Sequence, residues 1–179
     1  MAVEPGGDRA GMRAVGFDPG LADTGYAALA ADGGVLAVLG TGVIRTRPRE
    51  PLEVRLEELF EGAQAVLARL VPDLLVVEDI FSVPAVPRTA ILMGYARAVL
   101  CLAGRRQRIP IVTVAPAEVK RAVTASGAAS KAQVARAMQT LLGLPALPRP
   151  SHVADALALA FTGLSRARGL ARRPASAAR

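Results

Sequence analysis

The spacing of apolar and polar residues changes several times along the chain, and each change marks an element. Residues 13–18, RAVGFD, read as a short apolar strand that ends on an acid. TGYAALAADGGVLAVLGTGVI, 24–44, reads as two strands around Asp32-Gly33-Gly34, a hairpin signal. Over 51–70 the apolar residues Leu52, Leu56, Leu59, Phe60, Ala63, Val66, Leu67 and Leu70 recur at helical spacing with acids opposite, and Pro72 ends the run. DLLVVED, 73–79, is a continuous apolar run, as in a strand buried on both faces. FSVPAVPR is a loop with two prolines, and 89–104 is a helix apolar on nearly every side. IPIVTVA, 109–115, is a further buried strand, and Pro116 opens a helix to about 125. A helix over 130–142, a proline-rich linker and a helix capped by Ser151 complete the chain.

The early hairpin calls for antiparallel pairing, and the later strand-helix alternation calls for parallel crossovers. The expected fold is α/β, a mixed five-stranded sheet with helices on both faces. One domain is expected over 13–165, between a disordered segment 1–12 and a basic flexible tail 166–179 that holds five arginines and no acid. The N-terminus does not read as a secretory signal, and the longest apolar stretch, broken by Arg97, falls short of the roughly 20 residues of a membrane span. The single Cys101 excludes an intrachain disulfide and suits a reducing compartment. A cytoplasmic protein is expected.

Charge changes the picture. Residues 1–79 hold 7 Arg against 13 acids, a net of −6; residues 80–179 hold 15 Arg or Lys against 2 acids, a net of +13. The basic half points to a polyanion, most simply nucleic acid. An Arg-rich composition accounts for the 20 arginines among 22 basic residues, but not for the loss of acids.

Three stretches could carry chemistry. Asp18 closes a buried strand before a Pro19-Gly20 exit, and Gly20 and Gly25 would let a phosphate backbone come close. Asp-Pro-Gly is also an ordinary turn. Glu78 and Asp79 end a second buried strand, and strand alternation allows only one of them to face the Asp18 side. SHVADALALAF, 151–161, carries the only histidine, His152, and one turn on the scarce acid Asp155, within an otherwise apolar helix. An unpaired buried carboxylate costs several kcal/mol, more than the helix dipole returns, so a cation must meet Asp155. Arg166 is the nearest basic residue along the helix. A divalent metal shared with Asp18 and Glu78 answers the need, and hard oxygens with one imidazole suit Mg²⁺ or Mn²⁺. Beside a basic half, the expected reaction is metal-assisted phosphodiester hydrolysis with two ions.

In order and spacing, GFDPGLADTGYA, VVEDIF, LMGYARAVL, PAEVKRAVTASGAASKAQVARAM and SHVADALALA resemble the RuvC family of Holliday junction resolvases, from about 13 to 163. The resemblance implies a ribonuclease-H-like fold and a homodimer that nicks two opposing strands of a four-way DNA junction symmetrically, with Mg²⁺ or Mn²⁺. It implies action in recombination and repair at the nucleoid, beside the RuvA and RuvB branch-migration machinery. By position, the catalytic and metal-binding set becomes Asp18, Glu78, His152 and Asp155. His152 departs from the many members with Asp there, which lowers the negative charge of the site and shifts its preference toward Mn²⁺. Phe81 matches an aromatic near the junction centre, and Lys120 and Lys131, the only lysines, match positions that touch DNA. Arg88, Arg121 and Arg136 are further backbone contacts. The helix 89–104 has apolar residues left for a twin copy, with Met93 and Leu100 as interface positions.

Two other readings compete. DPGLADTG loosely resembles the first phosphate loop of actin-like or Hsp70-like ATPases, but those need two such domains and 179 residues hold one. A non-catalytic binder of branched DNA shares the basic half and needs no aligned metal ligands.

Overall fold

The computed structural model describes residues 11–79 and 87–171. Most of the expected N-terminal segment, residues 81–86 of the expected loop and the end of the basic tail lie outside the described residues, while Pro87 and Arg88 of that loop already belong to a helix. Five strands form one sheet: β1 (Met12–Asp18), β2 (Asp23–Asp32), β3 (Val35–Arg45), β4 (Leu74–Glu78) and β5 (Ile111–Val114). Their order is β3-β2-β1-β4-β5. The first three pair antiparallel, while β4 pairs parallel with β1 and β5 with β4. The mixed sheet expected from the hairpin and the later crossovers is therefore the one observed. Gly33 and Gly34, both at positive φ, make the β2–β3 turn.

Alternation along the strands divides the core. Val15, Phe17, Leu75 and Val77 face α1 (Leu52–Leu70) and α2 (Pro87–Arg106), meeting Leu59, Leu67, Ala96 and Leu100. Ala14, Leu74, Val76 and Val114 face α5 (Ser151–Ala171). The short helices α3 (Pro116–Thr124) and α4 (Lys131–Leu141) cover the outer side of α5 through Val119, Val123, Val134 and Met138. That second layer explains why α5 is apolar nearly all round: it is packed between sheet and helices.

Small residues set how close α5 comes. A Cβ on Gly16 would lie 2.3 Å from the Ala156 carbonyl oxygen, and one on Gly25 would lie 2.3 Å from that of His152. Glycine at these two strand positions lets the helix backbone rest on the sheet.

The details correct several expectations. Ser151 is the first residue of α5 rather than its cap, a shift of one position at a helix end. Gly25 makes room for α5, not for a phosphate, and a Cβ on Gly20 would meet the Asp23 carbonyl oxygen, so Gly20 serves the turn. Leu100 is fully buried against α1 and the sheet, which removes it from any interface; Ile91, Tyr95 and Leu102 are the exposed large apolar residues among those described in α2. Helix α5 runs through Arg166 to Ala171, past the point where the basic tail is expected to begin. Cys101 is half-buried, and burial pushes its thiol up, away from the reactive thiolate. Among the described residues, no helix is long and apolar enough to cross a membrane.

Candidate active site

Asp18 and Glu78 are the last residues of β1 and β4, two neighbouring parallel strands at the centre of the sheet. Both follow the alternation of Ala14 and Val76 and so point to the α5 face. The close seat of α5 on Gly25, the register partner of Asp18, brings the first turn of that helix over the same strand end. His152 Nδ1 lies 2.7 Å from Asp18 Oδ2. In the tautomer with its proton on Nδ1, the imidazole donates to the carboxylate and keeps the Nε2 lone pair for another partner. Asp155, three residues on, shares a cleft of about 180 Å³ with Asp18, Glu78, Met93, Lys120 and Lys131. The three carboxylates and the imidazole named from the sequence thus stand at one end of the sheet.

Their electrostatics reflect crowding. Burial, with the negative charge of Asp18 and Asp155 added, pushes Glu78 up to about 7. Asp18 is raised as well, chiefly by burial, although its hydrogen bond to His152 pulls the other way. Like charges held together out of water disfavour ionisation. Clusters of this kind are poised for a cation.

One cation is already present. Lys131 Nζ donates to Asp155 Oδ2 at 3.0 Å, and this bond, with the charges of Asp155, Asp18 and Glu78, raises the lysine above its ordinary value. Sequence periodicity along α5 could not show it, because Lys131 comes from α4. Lys131 is the first residue of that helix, after Ser130, whose side chain and that of Gln133 form a capping box. A cation there opposes the helix dipole. The acid cluster opposite, not helix stability, accounts for the placement.

The donor set fits a hard divalent ion: carboxylate oxygens, one free imidazole nitrogen, and repulsion that a cation relieves. Among the described residues, no three His, Cys, Asp or Glu side chains are yet arranged to hold one. Asp18 meets His152 through one carboxylate oxygen, while Asp155 is turned to Lys131, so an ion shared by the cluster must displace the lysine from Asp155.

The other expected contacts are distributed unevenly. Lys120, on α3, lines the cleft, and its charge acts on Glu78. Arg88, Arg121 and Arg136 are exposed and lie outside the cleft lining. Phe81 falls outside the described residues. Met93, expected at an interface, is half-buried and lines the cleft.

One residue escaped the site reading. Arg97, on α2, donates from Nε to the Glu78 carbonyl oxygen at 3.1 Å and from Nη2 to Thr113 Oγ1 at 3.1 Å. Its Nη2 also lies 3.5 Å from Asp79 Oδ1. The signal was a lone charge interrupting an apolar helix.

The family model described as "Crossover junction endodeoxyribonuclease RuvC" matches residues 14–163. A protein of that description from Rhodopirellula baltica is 41% identical over 149 residues, 83% of this chain and 84% of the relative. Another from Parafrankia sp. is 43% identical over 164 residues, 90% of each chain. A solved structure of T. thermophilus RuvC in complex with Holliday junction substrate superposes with a TM-score of 0.83 at 33% identity, covering 88% of this chain and 96% of the other.

Proposed function

This chain belongs to the RuvC family of crossover junction endodeoxyribonucleases, a family of metal-dependent nucleases, and from that membership we propose how its own residues cut DNA. The activity is that of a Holliday junction resolvase. What is proposed is the site, the ions, the DNA contacts and the assembly.

Asp18, Glu78, His152 and Asp155 form the catalytic centre. The observation that carries this assignment is the meeting of both strand-end acids with the first turns of α5, sealed by the 2.7 Å contact between His152 and Asp18. These four side chains would hold Mg²⁺ or Mn²⁺, two ions per site. When bound, the ions supply positive charge to the scissile phosphate and acidify an attacking water. The protein's own groups do the rest. Asp18 orients the imidazole through Nδ1, so that Nε2 points its lone pair away from the strand. Glu78, pushed up to about 7 by burial and its acidic neighbours, would hold an ion only as the deprotonated carboxylate. Lys131, released from Asp155, and Lys120 attract the phosphate backbone at the cleft. A histidine in place of a fourth carboxylate leaves the centre one negative charge short and favours Mn²⁺ over Mg²⁺.

The substrate is four-way junction DNA, the kind of substrate bound by the T. thermophilus relative. Arg88, Arg121 and Arg136 contact the backbone further out, and Phe81 enters the junction centre. Two opposed cuts need two centres related by symmetry, so the working form is a homodimer. The exposed stripe of Ile91, Tyr95 and Leu102 on α2 is its contact face. RuvA and RuvB are the partners that deliver the junction, at the nucleoid. A core that begins near residue 13 and ends with α5 at Ala171, beyond the expected boundary at 165, suits this division of labour.

Asp18→Asn tests the reading in a four-way junction assay with Mg²⁺ and Mn²⁺ in parallel. Binding to the junction stays within about twofold, while cleavage falls by more than about 100-fold, the upper range for losing even a supporting group around a metal. Normal cutting by the variant would remove Asp18 from the centre and return the non-catalytic binder to consideration.

A further inference from the structure

We propose that Arg97 is a positioning residue: from α2, on the face of the sheet opposite the acid cluster, it fixes the end of β4 and with it the direction in which Glu78 points. The inference rests on Glu78 being a metal ligand, as proposed above.

Glu78 is the last residue of β4, and Thr113 is the last but one of β5. Sheet pairing runs out here, with Asp79 N–H bonding the Val114 carbonyl at 2.8 Å. The guanidinium bridges both strand ends at this point, through the Glu78 carbonyl and the Thr113 hydroxyl, each at 3.1 Å. Alternation sends the Glu78 side chain to the α5 face, with Val76, while Thr113 and Asp79 follow Val77 to the α2 face. Glu78 is thus held from both sides of the sheet. Its carboxylate faces Asp18 and Asp155, and its carbonyl is gripped by Arg97. Fixing that carbonyl fixes the peptide plane, and hence the Cα–Cβ direction from which the carboxylate extends.

An arginine satisfied for burial alone would need only a carboxylate. Arg97 has Asp79 at 3.5 Å, yet it aims Nε at the main chain of the neighbouring acid. Its planar fork suits two acceptors at a fixed separation, which an ammonium does not. The helix that carries it shows Ile91, Tyr95 and Leu102 to solvent and Ala96, Leu100 and Ala103 to the core. A second copy seated on the exposed stripe would therefore bear directly on the helix that holds Glu78 in line.

The test uses the full chain with Arg97→Met and Arg97→Lys. Two readouts matter: the Kd for Mn²⁺ alone, without DNA, by calorimetry, and kcat against KM for junction cleavage. For Arg97→Met we expect Mn²⁺ binding about 10-fold weaker and kcat about 10- to 100-fold lower, with KM within about twofold. Arg97→Lys should fall between parent and Met. Parent-like Mn²⁺ affinity and kcat in Arg97→Met overturn the proposal, whatever happens to Tm. If Arg97→Met does not fold, Arg97→Lys decides by the same criterion. Glu78→Gln, run beside them, separates the two readings. Parent-like metal binding and cleavage in Glu78→Gln would remove the ligand itself. An inactive Glu78→Gln with parent-like Arg97 variants removes only the positioning role.

Discussion

His152 and Asp18, 134 residues apart in the chain, share a hydrogen bond of 2.7 Å that joins the last helix to the first strand at the acid cluster. Replacing the imidazole tests its influence on metal choice. His152→Asp adds one negative charge and removes the nitrogen donor. Mg²⁺ binding should strengthen, and the Mn²⁺-to-Mg²⁺ affinity ratio should fall by about fivefold or more, since nitrogen donors favour Mn²⁺ over Mg²⁺. Calorimetric titration with each ion checks it; an unchanged ratio counts against the imidazole as selector.

Lys131 occupies the cationic role within the cluster while it donates to Asp155. Lys131→Met removes that competitor. Mn²⁺ measured without DNA should then bind about fivefold tighter, in line with the loss of about 1 kcal/mol of repulsion between exposed charges. Junction cleavage should fall in the same variant, because the ammonium also serves the phosphate. Weaker metal binding in Lys131→Met would show that the lysine supports the ligands instead of competing with the ion.

Metal-free stability should depend on pH through Glu78. Its folded value, about 7, lies above its ordinary 4.5, so the folded state holds the proton more tightly than the unfolded one. The stability this contributes is complete below pH 4.5 and is lost as pH rises through about 7. Asp18, also raised, acts with the same sign. Urea midpoints at about pH 5, near the lower edge of this window, and at about pH 8, roughly one unit above it, should fall toward pH 8 in the parent and fall less in Glu78→Gln. Mg²⁺ should restore part of the loss, since metal binding and proton release are linked. A flat parent profile would contradict the crowding of the three acids.

Gly25→Ala should strike stability and catalysis together. The added methyl would meet His152 main-chain atoms at 2.3 and 2.5 Å, so α5 must lift from β2. The cost is about 2 kcal/mol, roughly 4–8 °C in Tm for a chain of this size. Cleavage should drop further than stability explains, because lifting the helix moves His152 away from Asp18. Gly94→Ala, where nothing lies within 4 Å of the new atom, serves as the control and should leave Tm level or raise it. Equal effects of the two substitutions would deny Gly25 its special place.

Strand and helix order were legible because they depend on local periodicity. The run LLVVE alternates between two cores, and the hairpin turns on two glycines, and both facts are written into neighbouring residues. Asp18, Glu78, His152 and Asp155 were legible as a set because each acid or imidazole interrupts an apolar element, an expensive choice without a task. What escaped was long-range. Lys131 reaches Asp155 from another helix, so no pattern along α5 reveals it. Arg97 stood out as a charge but not as a partner, because its targets lie on β4 and β5. Gly25 and Leu100 were misassigned for the same reason: which neighbour covers a residue depends on packing, not spacing.

Helix α5 lies between the sheet and α3–α4, with Ala156, Ala158 and Ala160 wholly shielded from solvent. No outer layer can open there without dismantling the protein's main cooperative unit. Amide protons of Ala156 to Ala160 should therefore exchange with deuterium only through global unfolding. A nuclease whose histidine and aspartate ride on such a beam keeps their main chain in register with the strand ends, so that metal entry asks only side chains to turn.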